Sequence, residues 1–525
     1  MKPFPEAQYA GQGPYVRWKV PGILRPRLTW RYLACSLTIS YVVYCFVFSS
    51  APLFANMLPN YSGPYAVGAI DLEAPLLSSR VIDTARFKGT QDNAFELQTV
   101  LFTLYYPTSH TVSHKPQHSW ISKPVSVTAE GYAKFAHISN SVTTAIFTGA
   151  INTLVGSIEI PAKVDVPLAG YAPTVSTVLE NRKRDREAEK VLGPEKDGYP
   201  VIVFSHGMAS SRTDYTHFAG ELASRGYIVA LLEHRDGSCP GSVIMKNGEV
   251  DQTRLTFRKS EVESADGKEL GVDDFKKAQL DFREAEIEEA VRVLQLINSG
   301  YGDDVFKQNS RGEGSDLANW KGRLNTDEMT VAGHSYGATG ALQALKGGPT
   351  QKRPFKGAII LDPGKQSGRL NADINVPVLV IHSNSWSSTY SIFYGRPHFE
   401  TVRDIVESNN DRGNPSWFMT SLGTSHPSVT DAPLLEPLLL SWTTGAKIDV
   451  YEGLRQYVHQ TEDFLWFLAE GERHNLLKEE AEFPVYDEGK GFGIWQPRQG
   501  DNKKDEGQWY DWRKYWQVHA SPVDN

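Results

Sequence analysis

Cysteine is scarce in this chain, with three in 525 residues, and two of them, Cys35 and Cys45, lie in one uncharged apolar stretch. Cys239 is left alone in the remainder, which excludes a disulfide framework and fits a reducing compartment slightly better than an oxidising one. Short-spaced groups of histidine, cysteine and carboxylate of the kind that bind zinc or calcium are missing, so no metal or other cofactor is expected. A basic excess is missing too. The chain has 54 Lys and Arg against 62 Asp and Glu, a net charge of -8, which argues against nucleic acid as a partner. There is no internal repeat. What remains, 40% hydrophobic and 22% charged, is the composition of an ordinary globular protein, long enough for one large α/β domain with appendages.

Charge is also absent from Tyr32 to Ile70, whereas the preceding tail, residues 1–31, carries Lys2, Arg17, Lys19, Arg25, Arg27 and Arg31 against Glu6. As a helix, Tyr32–Ala51 would be about 30 Å long, the thickness of a hydrocarbon core. Residues 32–55 are therefore expected to be a transmembrane anchor. The basic flank predicts a cytosolic N-terminus and a single-pass protein of the secretory pathway. The alternatives are a cleaved signal peptide with secretion, or a buried or surface-lying helix on a cytosolic, membrane-associated protein. The sequon Asn60-Tyr61-Ser62 lies too near this segment to decide the topology.

Residues 66–480 are expected to form the main domain and 481–525 a C-terminal extension. Leu97–Tyr106 is rich in β-formers and reads as an antiparallel leading strand. Val201–Ser205, Tyr227–Leu232, Thr330–Ala332, Ala358–Leu361 and Val376–Ile381 lack polar alternation and read as buried parallel strands. Helical patterns over Asp214–Ser224, Asp273–Asn298 and Tyr336–Leu345 separate them. This alternation predicts a mostly parallel twisted sheet with helices on both faces. Two insertions, 180–196 and 239–271, read as solvated surface. The aromatic run Trp509–Trp516 reads as packing back on the core, with contact to a membrane surface as the alternative.

The stretch Val331-Ala332-Gly333-His334-Ser335-Tyr336-Gly337-Ala338 places a serine between glycines where a strand gives way to a helix. Gly-x-Ser-x-Gly alone is a weak signal, but this context is what a nucleophile elbow requires. The serine takes a strained turn, the glycines let strand and helix approach, and the helix N-terminus points N–H groups at a developing oxyanion. A serine needs a base and an orienting acid, which follow it in chain order in this architecture. Asp362, ending a predicted strand, is the expected acid, with Asp373, Asp404 and Asp431 as alternatives. His426, in a loop after Trp417-Phe418-Met419, is the expected base, against His206, His234, His382 and His474. The backbone N–H groups of Met208, after the strand ending at Ser205, and of Tyr336 are the expected oxyanion donors.

Together, FSHGMASSRTDY (Phe204–Tyr215), ASRGYIVALLEHRDGS (Ala223–Ser238), GHSYGA (Gly333–Ala338), the strand ending at Asp362, and SHPSVTD (Ser425–Asp431) resemble the platelet-activating factor acetylhydrolases. The similarity covers roughly residues 97–467. It implies an α/β-hydrolase fold with Ser335 as nucleophile, Asp362 as acid, His426 as base, and Met208 and Tyr336 as oxyanion donors. Glu233 to Asp236 read as a structural charge cluster. The implied activity is hydrolysis of short or oxidised acyl esters at the sn-2 position of glycerophospholipids, with membrane phospholipid as substrate and no cofactor. A carboxylesterase or thioesterase, and an inactive lipid-binding member, are the alternatives. The N-terminal segment, the insertions, the C-terminal extension and Pro363 after the acid depart from the shared pattern.

Overall fold

The structure, a computed structural model, describes residues 29–43, 55–109, 115–170, 198–387, 393–437, 443–486 and 513–523. The chain divides into two units, residues 1–53 and 54–525. In the first, the described element is a 14-residue helix, Trp30–Val43. No helix among the described residues is long and apolar enough to cross a membrane. The expected anchor over 32–55 is thus not found, and the single-pass topology has no spanning helix behind it. Residues 44–54 of that segment lie outside the described residues, as does the insertion 180–196.

The second unit is built on one 12-stranded sheet. Its strands, with a separate hairpin, are in chain order β1 Ala66–Phe87, β2 Asn93–Thr108, β3 Gln117–Ser119, β4 Glu159–Val164, β5 Tyr199–Ser205, β6 Ile228–Glu233, β7 Gly241–Lys246, β8 Glu249–Leu255, β9 Val262–Glu263, β10 Leu324–His334, β11 Phe355–Leu361, β12 Val378–Ser383, β13 Trp417–Ser421 and β14 Trp516–Ala520. The order across the sheet is β14-β13-β12-β11-β10-β5-β6-β2-β1-β4-β3, with β9 paired to β1. From β6 to β13 all neighbours are parallel. Antiparallel β2 and β14 close this block on its two sides. The C-terminal extension therefore supplies a strand of the sheet.

The uninterrupted apolar runs have the cause expected of them: each parallel strand is buried on both faces. Val201 and Val203 enter one core while Ile202 and Phe204 enter the other, and Val378 and Val380 alternate likewise with Leu379 and Ile381. The helix Val272–Leu296 covers the first face with Ile287, Val291 and Leu294. The helix Val450–Glu470 covers the second with Leu454, Tyr457, Val458 and Phe464. Because β5, β6 and β10 to β13 run parallel, their C-terminal ends share one rim, where open α/β sheets hold their chemistry.

Two stretches differ from the sequence expectation. β1, 22 residues long, was hidden by Asp71 and Glu73, which are buried because Arg212, Arg235 and Arg311 reach them from far along the chain. The segment after Cys239, expected as a solvated loop, is the β7–β8 hairpin, buried over Gly241–Ile244. The cause is local: Arg235 and Arg311 both donate to Val243 O, and Gly241 abuts Val127.

Candidate active site

β10 ends at His334, and the helix Tyr336–Ala344 begins two residues later. Between them Ser335 holds φ 57° and ψ −119°, a strained conformation for a residue with a β-carbon. A β-carbon on Gly333 would stand 2.3 Å from Gly337 O, and one on Gly337 would stand 1.9 Å from Ser205 O. Both glycines are therefore sterically obligatory. The Ser335 N–H donates to Leu361 O at 2.9 Å, tying the turn to the end of β11.

Asp362 follows β11 at φ 48° and is 2% exposed. Its carboxylate accepts the Ser383 N–H at 2.6 Å and the Ser383 hydroxyl at 2.7 Å. His426 opens the short 3-10 turn after β13, and its own N–H donates to Ser385 Oγ at 3.0 Å. These anchors bring the three side chains together. His426 Nδ1 lies 2.8 Å from Asp362 Oδ2, and its Nε2 lies 3.0 Å from Ser335 Oγ. The carboxylate can only accept, so Nδ1 carries the proton and Nε2 presents its lone pair to the hydroxyl.

The other candidates are engaged elsewhere. Asp431 accepts the N–H groups of Thr216 and His217 and the indole of Trp120. Asp373 accepts from Gly347 N, and Asp404 pairs with Arg396. His382 bonds Ser387, His206 donates to Gly207 O, and His474 packs on Trp466.

His234 makes a second serine–histidine–carboxylate line, with Ser205 Oγ at 2.7 Å and Glu286 Oε2 at 2.6 Å. These three residues are 0%, 0% and 1% exposed, so no substrate reaches them. Burial holds the His234 imidazole far below its ordinary value and pushes the Glu286 carboxyl well up. The charged residues from Glu233 to Asp236 brace this layer: Glu233 pairs with Arg212 at 3.0 Å, Arg235 with Glu73 at 2.7 Å, and Asp236 with Arg283 at 2.8 Å.

The loop after β5 passes beside the serine, since a β-carbon on Gly207 would lie 3.1 Å from Ser335 Cβ. It is pinned by Arg283, which donates to His206 O at 2.7 Å, and by Tyr215, whose hydroxyl accepts the Gly207 N–H at 3.1 Å. Met208 and Tyr336, the next residues after Gly207 and Ser335, have backbone N–H groups with no protein acceptor among the described residues.

Three groups around His426 were not read from the sequence as its partners. Trp386 lies flat on the imidazole, ring centres 3.8 Å apart and planes 7° apart. His334, within the elbow motif itself, is 4.5 Å from the same ring. Its Nδ1 takes the Tyr215 hydroxyl at 2.9 Å, and burial drives its pKa down to about 3, so it stays neutral. Lys365 is the third, its ammonium 3.9 Å above the Trp386 ring. The position of His334 inside the motif was a usable signal, whereas nothing local marks Lys365.

His334, Asp362 and His426 bring possible ligand atoms within 4.8 Å of one another. Both nitrogens of His426 and Nδ1 of His334 are engaged by Asp362, Ser335 and Tyr215, leaving one imidazole nitrogen, which does not make a metal site.

A parallel sheet with an elbow serine, an acid one strand further and a histidine on a returning loop defines the α/β-hydrolase class. The profile of the family Platelet-activating factor acetylhydrolase, isoform II, matches residues 53–174 and 171–482, and the chain belongs to that family. It is 26% identical over 311 residues to a platelet-activating factor acetylhydrolase of Cavia porcellus, covering 58% of this chain and 55% of that protein, so it spans about half the length of that relative. It is 25% identical over 443 residues to a putative phospholipase A2 of Schizosaccharomyces pombe, covering 78% of this chain and 92% of that protein. Among solved structures, a ferulic acid esterase from Streptomyces cinnamoneus superposes with a TM-score of 0.44 at 17% identity, over 81% of this chain and 97% of that one.

Proposed function

We propose that this chain is a serine-dependent carboxylic ester hydrolase that removes short or oxidised acyl groups from the sn-2 position of glycerophospholipids. The observation that carries the reading is the unbroken line from Asp362 through His426 to Ser335, at 2.8 and 3.0 Å. His426 Nε2 takes the hydroxyl proton as Ser335 Oγ bonds to the ester carbonyl carbon. Asp362 keeps the imidazole in the required tautomer and stabilises the imidazolium that forms. The carbonyl oxygen, now negative, receives the N–H groups of Met208 and Tyr336. Collapse breaks the ester bond, and the glycerol oxygen leaves with the proton from His426. Water, deprotonated by the same imidazole, then releases the acid from Ser335.

A membrane-borne substrate suits an apolar surface of the second unit. The helix Ser141–Val155 contains no charged residue and no buried one. Its Val142 and Ile146 are 66% and 62% exposed, and Phe135 and Ile138 extend the apolar face. Such a patch favours contact with a lipid surface over solution in water.

The test is acid release from a 2-acetyl phospholipid compared with its long-chain 2-acyl counterpart. At least about a hundredfold preference in kcat/KM for the acetyl ester is the expected result, since each clashing methylene costs on the order of tenfold. Equal rates on soluble esters and thioesters, with none on the phospholipid, would move the reading to a carboxylesterase or thioesterase.

A further inference from the structure

One peptide plane beside the serine carries two polar groups that point opposite ways. Gly207 O and the Met208 N–H belong to the same trans peptide, so they lie on opposite edges of one rigid plate. The oxygen is held, with His206 Nδ1 2.8 Å from it. The N–H has no acceptor among the described residues, and the plate passes the serine where a β-carbon on Gly207 would stand 3.1 Å from Ser335 Cβ. Whatever turns this plate aims the donor or withdraws it.

The state of the His206 ring follows from its other nitrogen. The His234 N–H donates to His206 Nε2 at 3.0 Å, and a backbone N–H can only donate, so Nε2 carries no proton. A neutral ring then holds its proton on Nδ1 and donates it to Gly207 O. Burial first, and the Arg283 guanidinium next, push the His206 pKa down to about 4, so the ring stays neutral. It packs on the His234 ring, centres 4.8 Å apart.

Beneath it stands the buried serine–histidine–carboxylate line. Glu286 takes the Arg235 N–H at 3.1 Å and lies 2.6 Å from His234 Nδ1, while Ser205 Oγ lies 2.7 Å from His234 Nε2. These bonds fix residues 234 and 235 just past β6, and with them the N–H that orients His206. On the other side of the plate, Ala209 holds φ 56° with its N–H on Ser238 O at 2.8 Å. A residue with a β-carbon keeps that conformation only where its surroundings impose it.

We propose that His206 is a positioning residue for the oxyanion site: its Nδ1–H holds the 207–208 peptide by the oxygen and so presents the Met208 N–H to the ester carbonyl as that oxygen becomes negative. The inference rests on the esterase reading above and extends it to the residue that aims one of its two donors. It also gives the second serine–histidine–carboxylate line a task, since that line acts on the site through one ring.

The test separates the two nitrogens of that ring in the full chain. Asparagine can place its NH2 where Nδ1 stands, whereas glutamine can place its amide oxygen where Nε2 stands. His206→Asn therefore keeps a donor to Gly207 O, and His206→Gln keeps only the acceptor for the His234 N–H. Wild type and both variants are assayed on 1-alkyl-2-acetylglycerophosphocholine and its 2-thionoacetyl counterpart. The two esters share nucleophile, base and leaving group and differ in the atom that becomes negative, where sulfur is the weaker acceptor. In His206→Gln the oxo-to-thiono ratio of kcat is expected to fall about tenfold, short of the about 10² to 10³ that a whole oxyanion donor is worth, with KM little changed. His206→Asn restores most of the ratio. A ratio unchanged in His206→Gln, or lowered alike in both variants, makes the ring a brace of the fold alone, overturns the inference and leaves the esterase reading standing. The tautomer is read in wild type, whatever the variants' stability: 15N-histidine NMR at neutral pH, with the His206 ring identified by its contact with the His234 ring, is expected to show the proton on Nδ1. A proton on Nε2 overturns the inference. A wild-type chain that hydrolyses neither ester overturns the esterase reading and the inference with it.

Discussion

Replacing Asp362 by asparagine separates charge from shape at the centre of the site. Both carboxylate oxygens already face donors: the Ser383 N–H and hydroxyl at 2.6 and 2.7 Å, and His426 Nδ1 at 2.8 Å. An asparagine must turn its NH2 towards one of them. Turned towards His426 it donates to Nδ1, moves the ring proton to Nε2 and leaves no lone pair for the Ser335 hydroxyl. Turned towards Ser383 it sacrifices that anchor and still removes the negative charge. A unit charge pair at 2.8 Å is worth about 6 kcal/mol at an effective dielectric of ~20, or about four decades in rate. The His426 side chain is 30% exposed, which screens part of this, so kcat is expected to fall by about 10³ to 10⁴, in line with the about 10⁴ seen for the equivalent change in serine proteases. The assay is acetate release at saturating substrate, with thermal unfolding and circular dichroism to establish that the variant folds. A folded Asp362→Asn enzyme that keeps more than about a tenth of wild-type kcat would refute the reasoning.

Two further substitutions probe the architecture around the serine. Gly337→Ala places a methyl group 1.9 Å from Ser205 O, and the backbone movement it forces is expected to cost about 3 kcal/mol or more of stability, read as a lowered unfolding midpoint; a midpoint equal to wild type contradicts the elbow geometry. His334 has a folded pKa of about 3, below that of the unfolded chain, so the unfolded state binds the extra proton and the stability tied to keeping this ring neutral is lost as pH falls. The stability difference between wild type and His334→Gln is therefore expected to shrink by about 1.4 kcal/mol per pH unit below pH ~6.5, measured by urea unfolding. A difference independent of pH between 7 and 4 contradicts the assignment.

What could be read from the sequence follows from what is local. The parallel strands were legible because burial on both faces leaves no polar interruption, as in Val201–Ser205 and Val378–Ile381. The elbow was legible because the steric demands on Gly333 and Gly337 come from residues within and beside the turn. Chain order after the elbow left His382 and His474 beside His426, and Asp373, Asp404 and Asp431 beside Asp362; the resemblance carried by SHPSVTD was what favoured His426. β1 was not legible, because Asp71 and Glu73 look like surface charges until Arg212 and Arg235 arrive from more than a hundred residues away. The same holds for Lys365: its ammonium meets the Trp386 ring only in the fold, and no spacing in the chain announces it. The apolar N-terminal stretch invites a membrane reading for which no helix among the described residues is long and apolar enough.

The central claim, that Ser335 is the nucleophile and His426 its base, is tested most directly by reaction with a fluorophosphonate probe followed by peptide mapping. The account expects the label on Ser335, none in Ser335→Ala, and a labelling rate reduced by at least about a hundredfold in His426→Ala. Label recovered on another residue, or full-rate labelling of Ser335 without His426, would contradict it.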